Sequence, residues 1–592
     1  MRKLIYVAIV FAGLSFSGCS LNKMVQMAQD QQLTVTPNPL EVHADTVKFE
    51  MSANLPVKML KAGKVYTIKT FYKYGNQELP LEDVVFKADD YPNSDQTQPK
   101  ITQSFAFAYQ PAMKTGSVEI KGVASDPRNG KSKETPRMGI ADGIITTSQL
   151  VQEVYYPAFA GHGYNNKEEL IPTNINFYFD QGRSNLKYSE RRSDRAKEFE
   201  AYIADKNQTK TVTITGTHSP EGPERINSRL SQDRATVIEK YYRKQMDKYD
   251  YKGMADSIKF ILKPIVDDWG NFKVALADYD GISDDQKSEI LNIINGPGAF
   301  EDQQNAVEKL STYKKVFKDL YPGLRSAKTD ILTIKDKKTD AEISVLAKQV
   351  AAGSTSADTL SLEELMYAAS LTPSLSEKEG IYKAAIKKSD AWNAHANLGA
   401  VYIAMAMEDD ANASNLANQA ETQLDLANKA HPSAEAYTTA ASVYLIQGNM
   451  NKASDALAKA SAMNPDAETV NGLKGVRGAI EIRKADYGRA VSSLSGSKQT
   501  ADNMFNKGLA YLLQKDYDNA INAFSEATEL DGNFAIAYYG AAVANARKSN
   551  TSKVVENLGK AISNDASLKE AAVVDLEFKN VKTNPDFAAL LK

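Results

Sequence analysis

Between Gly216 and Ala235 the chain reads GTHSPEGPERINSRLSQDRA, a run whose polar residues are spaced for ligand contact. Val212 and Ile214 alternate into a strand that ends at Gly216. Pro220, Gly222 and Pro223 then make a turn, and a helix is predicted to open near Asn227. Arg234 lies seven residues beyond Asn227, two helical turns along the same face, so both point into one groove. The N-terminus of that helix faces the loop, where its free N–H groups favour an anion. Asn227 is placed either to cap the helix or to hydrogen-bond a ligand. Ser219 supplies a hydroxyl. His218 beside it invites comparison with a general base, but no triad partner or oxyanion donor accompanies it. The other histidines, His43, His162, His395 and His431, are scattered without metal-ligand spacing, and no Gly-rich phosphate loop follows a strand. The residues describe a binding site and no enzyme; no catalytic residue, metal or cofactor is expected.

Cys19 is the one cysteine in 592 residues, which excludes a disulfide within the chain and leaves none for a zinc cluster. It follows an export signal at residues 1–18. Arg2 and Lys3 form the positive end, and Leu4 to Phe16 form an apolar core too short to span a bilayer comfortably. The run Phe16-Ser17-Gly18-Cys19 resembles a bacterial lipobox with Phe in place of the usual Leu. That resemblance implies lipidation of Cys19, and several acyl chains hold a protein to a bilayer almost permanently. Residues 19–32 are polar and read as a tether. They lack an aspartate directly after Cys19 and an acidic cluster, which points to the outer membrane and its periplasmic face. Net charge is −3 and pI about 6.1, so no basic field invites nucleic acid.

The fold class expected is multidomain α+β. Residues 33–155 alternate at the strand period, as in Val47, Phe49, Met51 and Ala53 and again in Phe105, Phe107 and Tyr109, and predict a small β-sandwich. Residues 165–335 predict a β-α-β-α-β-β order, with a helix over 189–204, a third strand over 258–262 and a fourth over 324–334. A helical insertion is expected at about 265–320. From 361 to 592 the chain repeats at a period of roughly 34 residues. Asn506 to Asn533 carries Gly508, Tyr511, Tyr517, Ala520, Phe524 and Ala527 at the positions of the tetratricopeptide pattern, which it resembles. Four further copies follow Leu398/Gly399/Leu424, Ala441/Leu457, Gly478/Leu494 and Ala542/Leu558, the first with about nine extra residues between its helices. Five stacked helix pairs predict a solenoid with a concave groove. Trp269 and Trp392 both read as core residues, which argues against aromatic sugar platforms.

The 216–235 run resembles the ligand loop of the OmpA C-terminal-like, peptidoglycan-binding family, whose pattern is G-H-T-D-x-x-G followed by N-x-x-L-S-x-x-R-A. Asn227, Leu230, Ser231, Arg234 and Ala235 match the second half, and Gly216 and Gly222 match the first, while Ser219 stands where the family has aspartate. The Ser-Pro-Glu-Gly run is similar to variants common in Bacteroidota lipoproteins. The family clamps diaminopimelate of the peptidoglycan stem peptide, its aspartate on the ammonium and its arginine on the carboxylate. The resemblance therefore implies a site of Ser219, Asn227 and Arg234. A hydroxyl in place of the carboxylate loses on the order of 1–2 kcal/mol of charge assistance, and Glu221 and Glu224 are the loop carboxylates near enough to replace it. The chain is thus expected to be an outer-membrane-anchored periplasmic lipoprotein. It would bind peptidoglycan and scaffold a protein partner in the repeat groove. The alternative is an assembly adaptor whose middle domain has lost the wall, with Arg234 paired to a loop glutamate.

Overall fold

The computed structural model describes residues 20–592 apart from 252–253 and 267–268; residues 1–18, expected above to be an export signal, and Cys19 lie outside the described residues. Two compact units are present, one joining the residues up to Gly163 with Ile343–Lys592 and the other spanning Tyr164–Glu342.

The first unit opens with helix α1 (Ser20–Met27), so the segment read as a tether is not free chain. Leu21, Met24 and Ala28 fall on one helical face and join the core of the sandwich, with Met24 wholly buried. The prediction failed because it weighed the polarity of the run and missed three apolar residues at helical spacing. Met24→Ala should cost about 2–5 kcal/mol, read as a lowered urea midpoint of this unit.

Eleven strands follow among the described residues: β1 (Gln32–Thr36), β2 (Leu40–His43), β3 (Thr46–Asn54), β4 (Val65–Tyr74), β5 (Gln77–Pro80), β6 (Val84–Lys87), β7 (Lys100–Ala108), β8 (Ser117–Asp126), β9 (Lys131–Glu134), β10 (Met138–Asp142) and β11 (Ile144–Ile145). One sheet runs β1-β3-β2-β11 with β7 on the far edge of β3, and the other runs β10-β8-β4-β5 with β6 and β9 attached. The two-residue alternation puts Val47, Phe49 and Met51 of β3 against Tyr66, Ile68 and Tyr72 of β4 in one core. Phe49 stacks on Phe105 at 4.8 Å, and Tyr72 meets Phe107 at 5.0 Å. Strand structure ends at Ile145, so residues 151–155, assigned above to the sandwich, belong to a different feature described below.

The second unit is a four-stranded sheet, β12 (Leu170–Tyr178), β13 (Thr209–Gly216), β14 (Lys259–Pro264) and β15 (Ser326–Ile334), in spatial order β12-β15-β13-β14. β13 runs parallel to β14 and antiparallel to β15. Helices α2 (Asp194–Ala204) and α3 (Glu224–Lys248) cover it, with Phe177, Phe199, Ile214, Ile238 and Tyr242 in the core. Ser193 caps α2 through its hydroxyl. The end of β13 lies directly against α3, because Gly216 has no Cβ to meet the Ser231 carbonyl. Residues between β14 and β15 fold as short helices, from Gly270–Ala277 to Tyr321–Leu324, with their own core of Trp269, Phe272, Ile290, Val316 and Tyr321.

The solenoid of the first unit is five helix pairs: α4 (Trp392–Glu408) with α5 (Ala413–Ala430), α6 (Ala434–Ile446) with α7 (Met450–Ala462), α8 (Ala467–Arg483) with α9 (Tyr487–Ser495), α10 (Ala501–Leu513) with α11 (Tyr517–Leu530), and α12 (Ala535–Arg547) with α13 (Thr551–Asn564). Small residues let paired helices approach: a Cβ on Gly399 would lie 2.7 Å from the Leu424 side chain, and one on Gly508 2.7 Å from the Phe524 ring. The extra residues of the first copy lengthen α4 and α5 to 17 and 18 residues and form no inserted loop. Helices Leu362–Ala368 and Leu375–Ser389 precede the pairs, and Ser567–Val574 and Pro585–Leu590 follow them. Trp392 is not core as expected; it is half-buried and its ring lies 4.6 Å from that of His431, tilted by 42°.

Candidate functional site

In the 164–342 unit, α3 begins at Glu224, three residues before the predicted start, so Asn227 sits inside the helix and caps nothing. Its Nδ2 donates to the carbonyls of Glu221 (3.1 Å) and Gly222 (3.0 Å), which pins the turn onto α3. Gly222 takes a positive φ of 87° in that turn. Arg234 is 1 % exposed. Its Nη1 donates to the Thr217 carbonyl at 2.7 Å, Nε to Arg183 at 3.1 Å and Nη2 to Asp180 at 3.2 Å. One guanidinium thereby ties the end of β13 to the loop after β12. Burial, helped by the like charge of Arg325, lowers its pKa to about 10.

Ser219 is 3 % exposed, and its hydroxyl accepts from Arg325 Nε at 2.9 Å. Arg325 also ion-pairs with Glu221, Nη2 to Oε1, at 2.9 Å. Burial pushes the Glu221 carboxyl upward against the opposing hydrogen bond from Ser219 and the charge of Arg325. Where the family pattern has one aspartate, this chain has a serine, a glutamate and a second arginine. Glu221 pairs with Arg325 and not with Arg234; the Glu224 side chain lies outside the described residues. Sequence reasoning missed Arg325; the signal was a lone cation entering β15 directly after the inserted helices. Those helices also cover the loop, with Phe300 edge-on to the His218 ring at 6.1 Å and Phe317 under the Arg325 guanidinium at 5.5 Å. His218 Nδ1 lies 2.8 Å from the Ser219 carbonyl, which requires the Nδ1–H form.

A second polar constellation was not foreseen. Residues 151–163 run extended along the first helices of the solenoid pairs. Asn506 of α10 takes the Gln152 N–H on Oδ1 (2.8 Å) and donates Nδ2 to the Gln152 carbonyl (2.9 Å). Asn397 of α4 does the same for Ala160, at 2.6 and 3.0 Å. On α6, Ser442 Oγ accepts the Tyr156 N–H at 2.9 Å and Thr439 Oγ1 accepts the Ala158 N–H at 3.0 Å. All four polar side chains are 0–1 % exposed. Buried polar groups demand partners, and here the partner is another stretch of the same chain. This strap explains why α6 is buried on nearly all sides: α7 covers one face and the strap another. The sequence signal was weak, because Asn397, Thr439, Ser442 and Asn506 share their helices with other polar residues such as Asn393, His395, Thr438 and Asn503.

The sandwich meets the last repeats through a charge network. Arg547 of α12 contacts Glu577 (Nε to Oε2, 2.5 Å) and Glu41 of β2 (3.0 Å), and Thr147 donates to Glu577 at 2.6 Å. His43 Nδ1 lies 2.5 Å from the Tyr487 hydroxyl.

Tetratricopeptide repeat models match residues 434–467 and 501–534. The solenoid is built of tetratricopeptide repeats. Among curated proteins none matches the chain. Solved structures similar to it include YrrB, described as a tetratricopeptide protein with an unusual peptide-binding site (22 % identity, 34 % of this chain and 97 % of that one, TM-score 0.28). Others are PilF of Pseudomonas aeruginosa (18 %, 34 % and 90 %, 0.28) and a tetratricopeptide repeat protein of Parabacteroides merdae (16 %, 39 % and 97 %, 0.27). Helix pairs of this kind are protein-interaction scaffolds. A partner that enters along their first helices meets residues 151–163 already in place.

Proposed function

We propose that this chain is a protein-interaction adaptor of a bacterial envelope, held to the outer membrane by acyl chains on Cys19. The observation that supports the adaptor is the row of four buried polar side chains, set along the repeats to hold an extended main chain. Cys19 is bonded to Ser20, the first residue of α1, and α1 belongs to the sandwich core. A lipidated Cys19 would therefore seat the sandwich at the membrane surface without slack.

The clamp loop bears on the second reading, retention on peptidoglycan through Ser219, Asn227 and Arg234. The family motif favours it. Against it stand the three carbonyls on Arg234, the Arg325 bond to Ser219 and the inserted helices over the loop. The adaptor reading expects the full-length protein to stay in the supernatant when purified sacculi are sedimented. Retention that falls about tenfold or more with Arg234→Ala would put the wall clamp in its place.

A further inference from the structure

We propose that the inner face of the repeats is a peptide site that reads the main chain of an extended partner segment, and that residues 151–163 occupy it in cis. The inference deepens the adaptor reading, on which it rests, by naming the class of partner.

The strap N–H groups that donate to repeat side chains belong to even-numbered residues, Gln152, Tyr156, Ala158 and Ala160, while the odd-numbered Glu153 and Gly161 are bonded through a side-chain carboxylate to Arg483 and a carbonyl to Asn393. An extended chain alternates its sides, so the even residues turn their N–H groups to the helices. Asn397 and Asn506 each bind both the N–H and the carbonyl of one residue, the pairing a neighbouring strand would make. Such contacts recognise any extended main chain, whatever its side chains. Selectivity comes from the space between them. Ala158 and Ala160 are 2 % and 5 % exposed, which leaves room for small side chains only. Tyr156 lies against Gly472 of α8, where a Cβ would run into its ring. A glycine inside a helix is disfavoured relative to alanine, so the ring pocket accounts for a residue the helix alone would not favour. Val154 and Tyr156 both pack against the apolar cluster that includes Leu457, Leu473 and Val476. The partner class is therefore an extended segment with aliphatic, aromatic, small and small side chains at alternate positions.

The strap is held only part-way. Gly163 is exposed and Phe159 is 39 % exposed, while Glu153 and Gly161, though exposed, are bonded to Arg483 and Asn393. Tethered at both ends it competes at an effective concentration on the order of millimolar, so a free peptide meets a site already filled.

The test uses the full-length chain and a fluorescent peptide of residues 150–162. Ala158→Glu with Ala160→Glu should expel the strap and let the peptide bind, at least about 100-fold tighter than to the unaltered protein. Adding Asn397→Ala and Asn506→Ala should abolish that binding. A strap variant with unchanged helical circular dichroism and no peptide binding overturns the proposal. Should the variant not fold, hydrogen exchange on the unaltered protein decides: the amides of Gln152, Tyr156, Ala158 and Ala160 should exchange at least about tenfold faster than the most protected amides of α6 and α10. Exchange at the rate of those helix amides overturns it. If the intact chain crosslinks to an envelope protein through other faces while the peptide fails to bind, the site falls and the adaptor reading stands.

Discussion

Arg547→Ala is expected to cost about 3–5 kcal/mol, because it strands a buried carboxylate. Glu577 is 7 % exposed, and its ionised form is held by Arg547 and the Thr147 hydroxyl. Burial already pushes its pKa upward, with Arg547 the main opposing influence. Without the guanidinium, folding favours protonated Glu577. The folded state then binds more protons than the unfolded chain at pH values above the ordinary carboxylate range, so stability falls as pH rises. The deficit against the unaltered protein should be largest at neutral pH and shrink toward pH 4.5, and Arg547→Ala with Glu577→Gln should recover part of it. Glu41 acts with the opposite sign. The hydrogen bond to His43, and after it the charge of Arg547, outweigh burial and lower its pKa from 4.5 to about 2. Its contribution is complete above pH 4.5 and is lost as pH falls from there toward 2. Urea denaturation across pH 3–7, with proteolysis between Thr146 and Gly163 as the local readout, checks both slopes. A deficit independent of pH would show that Glu577 is not the stranded charge.

Gly216→Val should be the most damaging single change in the 164–342 unit. The added Cβ falls on the Ser231 carbonyl and lies 3.2 Å from the Ala235 nitrogen, so backbone and not a flexible side chain would have to move. Overpacking in a core costs about 1–3 kcal/mol where side chains can shift, and a helix pressed on a strand has less freedom than that. β13 is central in its sheet, hydrogen-bonded to both β14 and β15, so the displacement cannot be confined to an edge. The expected result is rapid proteolysis within residues 164–342, with the helical signal of 343–592 retained. A variant as resistant as the unaltered protein would mean that α3 can move away from β13 at little cost.

Local periodicity made the elements legible. The alternation of Val212 and Ile214 predicted β13, and the sheet pairs both residues with β14 and β15. The spacing of Gly508, Ala520 and Phe524 predicted α10 and α11 in close contact, and these residues are buried together. Long-range contacts add what the local pattern did not carry. Residues 20–32, Asn227 and Arg234 were expected to turn their polar groups to solvent or ligand. Instead α1 hides its apolar face in the sandwich, Asn227 holds its own loop, and Arg234 spends its donors on main-chain carbonyls 17, 51 and 54 residues away.

Helix and strand periods and the small-against-large pairs of the repeats are written within a few tens of residues, because they reflect short-range backbone geometry and the burial of one face. Whether a polar side chain is a ligand contact or a structural tie depends on which distant main chain reaches it. Asn397 and Asn506 become legible only when residues 237 and 354 positions away come to lie against them. Ser219 acquires its meaning from Arg325, 106 positions on. Desolvation made those pairings compulsory, and it acts on the folded arrangement, which no local pattern encodes.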